Sequence, residues 1–289
     1  MTLAEFIKQR KYLVWSTDNY DNLGPEAITE AVLNYGDFGD IDELKKIIGI
    51  KKMAKIFRKA AKQKRTNLRP EIINYFNLYF KKIRQMIHKE ILTREQTILL
   101  PALKAFSRKF GLVGGTAIAL QIGHRRSVDF DMFSFDKFSN SAVERKIKEK
   151  TAIDKIIVDK LDEFTFIARE VKFTFFHYIY EIEYSQKIDS FAKMPDLLTL
   201  AAMKAFALGR RAKWKDYVDL YFIMRDFHGI SDIIEKGNQI FGSEFNEKIF
   251  KVQLAYFKDI NYEETVRYMP GVEISDAKIK KGLKKFSLG

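Results

Sequence analysis

The chain contains no cysteine, so it can form neither disulfides nor thiolate metal sites. The four histidines are scattered without the spacing of a zinc site. Long hydrophobic runs are also missing, because the main uncharged stretch, residues 110–123, is too short to cross a bilayer. The first residues lack the pattern of a signal peptide, and we therefore expect a cytoplasmic protein without membrane contact.

What the chain does have is length, hydrophobic residues and positive charge. Its 289 residues, 46% hydrophobic and 31% charged, are typical of a globular protein with room for two domains. The net charge is +13, and residues 45–84 carry all of it, with 14 basic residues against the single acid Glu71. Such a cluster predicts contact with DNA or RNA. The basic residues are Lys45, Lys46, Lys51, Lys52, Lys55, Arg58, Lys59, Lys62, Lys64, Arg65, Arg69, Lys81, Lys82 and Arg84.

The pattern of the leading region, to about residue 85, is helical. We predict a turn at residues 34–40 in which Asp40 caps the next helix, and a break at Gly49 before another. Two short helices joined at a glycine within a basic segment are loosely similar to a helix-turn-helix. The alternative is a basic helical bundle that packs its aromatic face on the neighbouring domain.

A pair of glycines, Gly114 and Gly115, separates an apolar strand from the start of a helix. Glycine permits a positive φ and a close approach of the backbone to a ligand. The free N–H groups of the new helix, with the hydroxyl of Thr116, could face an anion such as a triphosphate. A strand-Gly-Gly-helix corner is also a common connection, so the pair alone does not decide between the two interpretations.

Two carboxylates, Asp129 and Asp131, follow this corner at a spacing of two. Successive side chains of a strand point to opposite faces, so the two aspartates share one face while Val128, Phe130 and Met132 share the other. Like charges at that spacing repel unless a cation lies between them, and Mg²⁺ prefers oxygen ligands. The alternative is a solvated edge strand whose aspartates pair with the basic residues at 124–126.

A later block, residues 204–220, places Lys204 on one helix and Asp216 and Asp219 one turn apart on the next. The first helix opens at Pro195 or Asp196, and Gly209 interrupts it. An ordinary amphipathic helix with surface ion pairs, such as Lys215 with Asp219, would show the same pattern.

The combined pattern of Gly-Gly-Thr, an apolar helix and His-Arg-x-Ser-x-Asp-x-Asp resembles the core of the AbiEii/AbiGii-type toxins. These proteins of toxin–antitoxin and phage-defence systems belong to the polymerase-beta-like nucleotidyltransferase superfamily. The resemblance covers roughly residues 90–227 and includes the block that begins at Lys204. It implies a small mixed sheet flanked by helices, with an NTP and Mg²⁺ at the Gly-Gly corner.

By this resemblance, Asp129 and Asp131 are catalytic residues and metal ligands, joined in catalysis by Lys204 and Asp216. The nucleotide-binding residues that it implies are Gly114, Gly115, Thr116, Arg125, Ser127, Lys204, Lys215 and Asp219. For Asp219 a structural brace and a catalytic role remain equally open.

One expected group is missing from the sequence. Many members of the superfamily carry a third carboxylate on a neighbouring strand, but residues 171–176 contain none. Either Asp216 substitutes for it, or two carboxylates and the substrate phosphates suffice. A third interpretation is a degraded transferase that only binds nucleotide.

We therefore expect an α+β fold in three regions: a basic helical module at 1–85, the transferase core at 86–193, and a helical region at 194–289 that completes the site. The leading module resembles small proteins encoded upstream of such toxins, which implies an antitoxin-like role, with an antitoxin in cis or trans. The basic tail, residues 278–285, is expected to be solvated and mobile.

The leading functional hypothesis is a Mg²⁺-dependent nucleotidyltransferase that moves NMP from an NTP to an acceptor hydroxyl, on RNA, such as tRNA, or on protein. The alternative is a nucleic-acid-binding regulator whose transferase domain is inactive or restrained.

Overall fold

The computed structural model describes residues 1–15, 17–84 and 87–288, which form two compact units, Met1–Gln85 and Met86–Gly289. The boundary residues 85 and 86, where the core was expected to begin, lie outside the described residues. So do the side chains of four residues of the basic segment, Lys51, Lys81, Lys82 and Arg84. No helix within these ranges is long and apolar enough to cross a membrane.

The first unit is helical and has its own hydrophobic core, centred on residues such as Phe6, Ile28 and Phe57. One predicted cap is wrong: Asp37, not Asp40, caps α3, so the turn ends three residues earlier than expected. The two carboxylates form a reciprocal capping box. The helices are α1 (Leu3–Lys8), α2 (Pro25–Tyr35), α3 (Phe38–Ile48), α4 (Ile50–Ala61) and α5 (Pro70–Arg84).

The second unit surrounds a sheet with helices. Its helices are α6 (Arg94–Lys104), α7 (Gly114–Ile122), α8 (Asn140–Lys148), α9 (Leu197–Leu208), α10 (Trp214–Asp226), α11 (Ile230–Phe241), α12 (Glu247–Ala255) and α13 (Asp276–Ser287). Its strands are β1 (Gly111–Val113), β2 (Phe130–Ser134), β3 (Lys155–Lys160), β4 (Glu163–Ala168), β5 (Val171–His177), β6 (Gln186–Ile188) and β7 (Ala192–Met194).

The main sheet has the order β1-β2-β5-β4-β3, and β6 pairs with β7 in a separate ribbon. It is mixed, because β2 runs parallel to β5 while its other pairings are antiparallel. One face packs Phe130, Phe166 and Phe173 into the core. The predicted α+β fold with a mixed sheet flanked by helices is confirmed.

The carboxyl-terminal residues differ from the expectation of a mobile tail. They form α13, whose Ile279 and Leu283 are fully buried against the core of the second unit. The two apolar residues stand four apart, so they lie on one helix face while the lysines occupy the other. The many lysines of the segment suggested a solvated tail, although the two apolar residues are spaced for one face of a helix.

Candidate active site

The Gly-Gly corner lies at the join of β1 and α7, and α7 begins at Gly114 itself. Gly114 has φ +69°, and a Cβ atom there would overlap the carboxylate of Asp131. A Cβ on Gly115 would lie 2.5 Å from Nη2 of Arg125. Both glycines are therefore required by close approach, and for Gly114 by its backbone conformation as well.

The aspartate pair lies at the start of β2, with Asp129 just before the strand and Asp131 within it. Asp131 is paired with Val113 of β1 on one side and Thr174 of β5 on the other. Its neighbours Phe130 and Met132 are fully buried on the opposite face. The alternation of the strand thus leaves Asp131 on the open face of the sheet.

The two carboxylates have different surroundings. Asp129 accepts an ion pair from Nζ of Lys172 at 3.0 Å. Within the described part of the chain, the Asp131 carboxylate makes neither a hydrogen bond nor an ion pair. Burial, followed by the charge of Asp129, raises the pKa of Asp131, although Lys172 and Lys204 oppose the shift. A partly buried, unpaired carboxylate beside a second one fits a divalent cation that prefers oxygen ligands.

The strand beside the pair carries a cation where a third carboxylate was sought. Lys172, Thr174 and Phe176 of β5 face the same cleft as Asp131. Burial lowers the pKa of Lys172, but the carboxylates of Asp129, Asp131 and Glu264 together outweigh it, so the net pKa is raised and the ammonium stays charged. Across the described ranges, no group of three or more His, Asp or Glu side chains is arranged to hold a metal ion.

Asp219 of α10 lies at the centre of a buried ionic cluster. Arg125 donates to it from Nε at 2.7 Å and from Nη2 at 2.8 Å, and His124 Nε2 lies 2.7 Å from the same carboxylate. Lys204 of α9 adds an ion pair at 3.1 Å. Burial raises the pKa of Asp219, but Arg125 and Lys204 lower it well below its usual value. Both carboxylate oxygens are thus occupied within the protein, which favours the brace over a catalytic role.

Lys204 also forms an ion pair with Asp216, the second carboxylate of the α10 block. Burial lowers the pKa of Lys204, but Asp216 and Asp219 raise it further, so the lysine remains an ammonium. Asp216 Oδ2 lies 3.5 Å from Nε of Arg211. Asp216 lies near the aspartate pair, but its carboxylate charge is already balanced by two cations.

Two predicted phosphate ligands are engaged elsewhere. The hydroxyl of Thr116 donates to the carbonyl oxygen of Asp129, so it ties α7 to the start of β2 instead of facing an anion. Arg125 is 1% exposed, and its guanidinium donates hydrogen bonds to Asp219 and to the carbonyl oxygen of Arg126. Both residues therefore support the Gly-Gly corner structurally, because their polar groups form hydrogen bonds with buried protein groups.

Lys215 pairs with Glu264 at 2.8 Å and not with Asp219 as the surface-pair alternative suggested. Lys213 donates to the same carboxylate at 2.8 Å. These two hydrogen bonds lower the pKa of Glu264 to about 2. Glu264 belongs to a segment, residues 256–275, that we call the strap. The strap is fastened beside the site by backbone hydrogen bonds such as Arg126 N to Arg267 O at 2.8 Å.

Two adjoining spaces open at the aspartate pair. The smaller one, about 110 Å³, which we call the cationic chamber, takes in Ser127, both aspartates, Asp216 and Glu264, and it is lined by six cations. These are Arg125, Lys172, Lys204, Arg211, Lys213 and Lys215. The larger one, about 530 Å³, which we call the aromatic cleft, is lined by Phe133, Phe176, Tyr178 and Phe206. Gly115, Asp131, Lys172, Lys204 and Arg211 line both spaces.

The structure thus brings most of the predicted site residues together. Gly114 lines the cleft, whereas Thr116 and Asp219 line neither space. Sequence reasoning missed Lys172, Arg211, Lys213 and Glu264 as site residues. Lys172 could have been found from strand alternation, because it shares a face of β5 with Thr174, which pairs with Asp131. Lys213 could have been found from its position just before α10, two residues ahead of Lys215. Nothing local in the sequence links Glu264 to residues fifty positions earlier.

Comparison with known proteins gives one clear relative, and no family model matches the chain. An uncharacterized Aquifex aeolicus protein, aq_aa25, is 31% identical over 180 residues, which cover 57% of this chain and 82% of that protein. The chain belongs to the family of aq_aa25. The aligned region covers more than half of this chain, and the name of the relative assigns no activity.

Solved structures show weaker similarities. JHP933 from Helicobacter pylori is 14% identical, with a TM-score of 0.44 over 68% of this chain and 92% of that one. MenT4, a nucleotidyltransferase toxin from Mycobacterium tuberculosis, is 13% identical, with a TM-score of 0.43 over 81% of this chain and 88% of that one. Scores below 0.5 identify neither fold nor function, so the site has to be interpreted from its own residues.

Proposed function

We propose that the chain is a Mg²⁺-dependent nucleotidyltransferase that moves a nucleoside monophosphate from an NTP to an acceptor hydroxyl. The observation that carries this proposal is the position of Asp131. Its unpaired carboxylate packs against Gly114 and borders both the cationic chamber and the aromatic cleft. A metal-binding carboxylate between a site for phosphates and a site for an aromatic ring is the arrangement that nucleotide chemistry requires.

The cationic chamber suits the phosphates of the NTP. Lys172, Lys204 and Arg211 present charge to it, and Ser127 and the N–H groups at Gly115 add neutral donors. Asp129 and Asp131 would hold Mg²⁺, which neutralises phosphate charge and aligns the reacting oxygens when it is bound. The ionic cluster around Asp219 holds Lys204 at this wall through its 3.1 Å contact.

In the reaction, an oxygen of the acceptor hydroxyl attacks the α-phosphorus of the NTP, and the bond from that phosphorus to the bridging oxygen of the β-phosphate breaks. Pyrophosphate leaves with the electron pair of the broken bond, and the hydroxyl proton passes to water. Negative charge develops on the leaving oxygen and on the transferred phosphoryl group, so the ammonium groups of Lys172 and Lys204 stabilise the transition state more than the ground state.

The aromatic cleft suits a nucleoside. Its volume of about 530 Å³ lies within the usual range of small-molecule sites. Phe206 packs parallel to Phe241 with ring centroids 4.0 Å apart, and Arg210 covers its ring at 3.9 Å, so a base would stack on the other rings of the cleft. Tyr178 contributes another ring and a hydroxyl whose pKa is raised by burial. A base stacked there would leave its phosphates near Asp131.

The acceptor that we propose is RNA, such as tRNA, in a toxin-like role of a toxin–antitoxin or phage-defence system. The resemblance to the AbiEii/AbiGii-type toxins and the basic segment of the first unit support this. On the same grounds, residues 1–85 are proposed as an antitoxin-like or nucleic-acid-binding module in a cytoplasmic protein. Residues 86–193 would form the core, and residues 194–289 would complete its site.

A second candidate function is a nucleic-acid-binding regulator with an inactive or restrained transferase domain. The observation that favours it is the surroundings of the aspartate pair. Thr174 lies beside Asp131 in the sheet, and Lys172 pairs with Asp129, so no carboxylate on β5 assists the pair. Asp216, the alternative third acid, is paired with Lys204 and Arg211.

The test is transfer of label from [α-³²P]NTPs to total RNA, tRNA and protein in the presence of Mg²⁺. The isosteric double variant Asp129→Asn/Asp131→Asn should lose transfer. Asp154→Asn, which changes an exposed aspartate before β3, should retain it. Transfer that persists in the double variant contradicts the site. Absence of transfer by the wild-type chain, together with tight nucleic-acid binding, supports the regulator.

A further inference from the structure

The first unit carries a group of aromatic rings that are at least 40% exposed and are not part of its hydrophobic core. We call Trp15, Tyr35, Phe38 and Tyr75 the aromatic ribbon. Their exposed fractions are 70%, 40%, 61% and 44%. Large apolar side chains that cluster on a surface mark a binding site more often than single exposed ones do. The ribbon therefore requires an explanation that folding of the unit does not supply.

The rings form two edge-to-face pairs. Trp15 lies 4.8 Å from Tyr35 between ring centroids, and Phe38 lies 6.0 Å from Tyr75. Tyr35 and Phe38 flank the turn between α2 and α3, which joins the two pairs. Arg69, just before α5, covers the ring of Tyr35 at 4.7 Å. The ribbon thus consists of two ring pairs on either side of one turn, and the guanidinium group of Arg69 packs on the first pair.

The segment that leads to Arg69 carries further positive charge. The loop from α4 to Arg69 and the exposed face of α4 carry Lys52, Lys59, Lys62, Lys64 and Arg65. Among the residues that the structure describes, none of these five has an acidic partner. Unpaired cations at this density repel one another, so a polyanion that neutralises them lowers the free energy of the surface.

We propose that the aromatic ribbon and the adjoining basic loop bind single-stranded nucleic acid. Bases stack on the exposed rings, and the cations of the loop contact the backbone phosphates. This inference does not depend on the transfer chemistry proposed for the second unit.

Single strands fit this surface better than a duplex or a protein does. Stacking on protein rings requires bases that are already unstacked from their neighbours, as they are in single strands. A duplex would use the lysines alone and would leave the rings without a role. Protein interfaces are depleted in lysine, whereas four of the five unpaired cations of this surface are lysines.

The experiment measures binding of the full-length chain to labelled oligonucleotides of about 12 nucleotides by fluorescence anisotropy, since single-strand sites span about 4–16 nucleotides. Single-stranded RNA, single-stranded DNA and a duplex of the same sequence are compared. The variants Phe38→Leu and Trp15→Leu keep an apolar side chain but remove the ring. Leu78→Ala, at a 62% exposed position on α5 outside the ribbon, is the matched control.

We expect single strands to bind more tightly than the duplex, and each ring variant to weaken binding roughly fivefold or more, because one stacked base is worth about 1–3 kcal/mol. Leu78→Ala should bind as the wild type does. The fluorescence of Trp15, one of two tryptophans, should be quenched on binding, and this change should be missing in Trp15→Leu.

The proposal would be overturned by equal or tighter binding of the duplex, by ring variants that bind as well as Leu78→Ala, or by loss of binding in Asp129→Asn/Asp131→Asn alone. The last result would assign the single strand to the second unit. A chain that binds a protein through the ribbon but binds no oligonucleotide would also overturn it. Absence of transfer by the wild-type chain, with retained single-strand binding, would contradict the transferase and leave the ribbon site intact.

Discussion

Arg125 and Asp219 are joined by two parallel hydrogen bonds, 2.7 Å and 2.8 Å long, with both side chains buried. The pair links the turn after α7, which carries the Gly-Gly corner, to α10, which carries Asp216. It therefore fixes the two halves of the site against each other. A bidentate pair has more geometric specificity than a single contact between point charges.

Replacement of Asp219 by Asn should destabilise the second unit by about 3–5 kcal/mol, because Arg125 and Lys204 would remain buried without their shared anion. Urea unfolding measures this. The control is Glu247→Gln, which removes an exposed helical pair with Lys251 and should cost no more than about 0.5 kcal/mol. Similar costs for both variants would show that the cluster is not a brace.

Replacement of Gly114 by Ala should abolish Mg²⁺-dependent NTP binding, because the new methyl group would displace the carboxylate of Asp131. Gly242→Ala is a matched control: its φ of +54° is also left-handed, but no atom lies within 4 Å of the added Cβ. Each variant carries a backbone cost of about 1–3 kcal/mol, because an alanine side chain disfavours a positive φ. Titration calorimetry on the folded variants should show loss of binding only at Gly114, and equal affinities would contradict the assigned metal position.

Replacement of Glu264 by Gln should strengthen the binding of inorganic tripolyphosphate. Glu264 holds Lys213 and Lys215 in the cationic chamber, where a phosphate would compete for them. Removal of this charge should raise the affinity roughly three- to tenfold at low salt. Glu263→Gln, which changes the exposed neighbour, should have no effect. In a Lys215→Met background the gain should shrink, and a full gain there would show that Glu264 acts without that lysine.

The ion pairs of Glu264 should also give the strap an acid-sensitive attachment. Lys213 and Lys215 hold the pKa at about 2, below the ordinary 4.5. A lowered pKa in the folded state contributes stability above the ordinary pKa, and that stability is lost as the pH falls toward 2. The difference in unfolding free energy between wild type and Glu264→Gln should therefore be constant above about pH 5 and decline below it. A difference independent of pH would contradict the pairing.

Local features of the site were predictable because they depend on neighbours in the sequence. The alternation around Asp131 predicted its face of the strand, and positive φ with close approach explained Gly114. The helix pair that carries Lys204 and Asp216 followed from capping and periodicity, with Asp196 at the cap.

What could not be predicted is the choice of distant partners. Arg125 is adjacent to the aspartate strand, yet its guanidinium turns to Asp219, 94 residues later. Glu264 reaches the site only because the strap folds back beside it. The hydroxyl of Thr116 binds a carbonyl of the next strand because the fold brings the two within reach. Periodicity reports which side of an element is buried, but it does not report what lies opposite.

The most direct test of the account compares two labels on one NTP. The full-length chain is incubated with Mg²⁺, total RNA and an NTP that carries ³²P at either the α- or the γ-phosphate. The account predicts that the α-label enters the acceptor in a form sensitive to Asp131→Asn, while the γ-label is released as pyrophosphate. Incorporation of the γ-label would instead indicate phosphoryl transfer, and incorporation of neither label into RNA or protein would contradict the proposed activity.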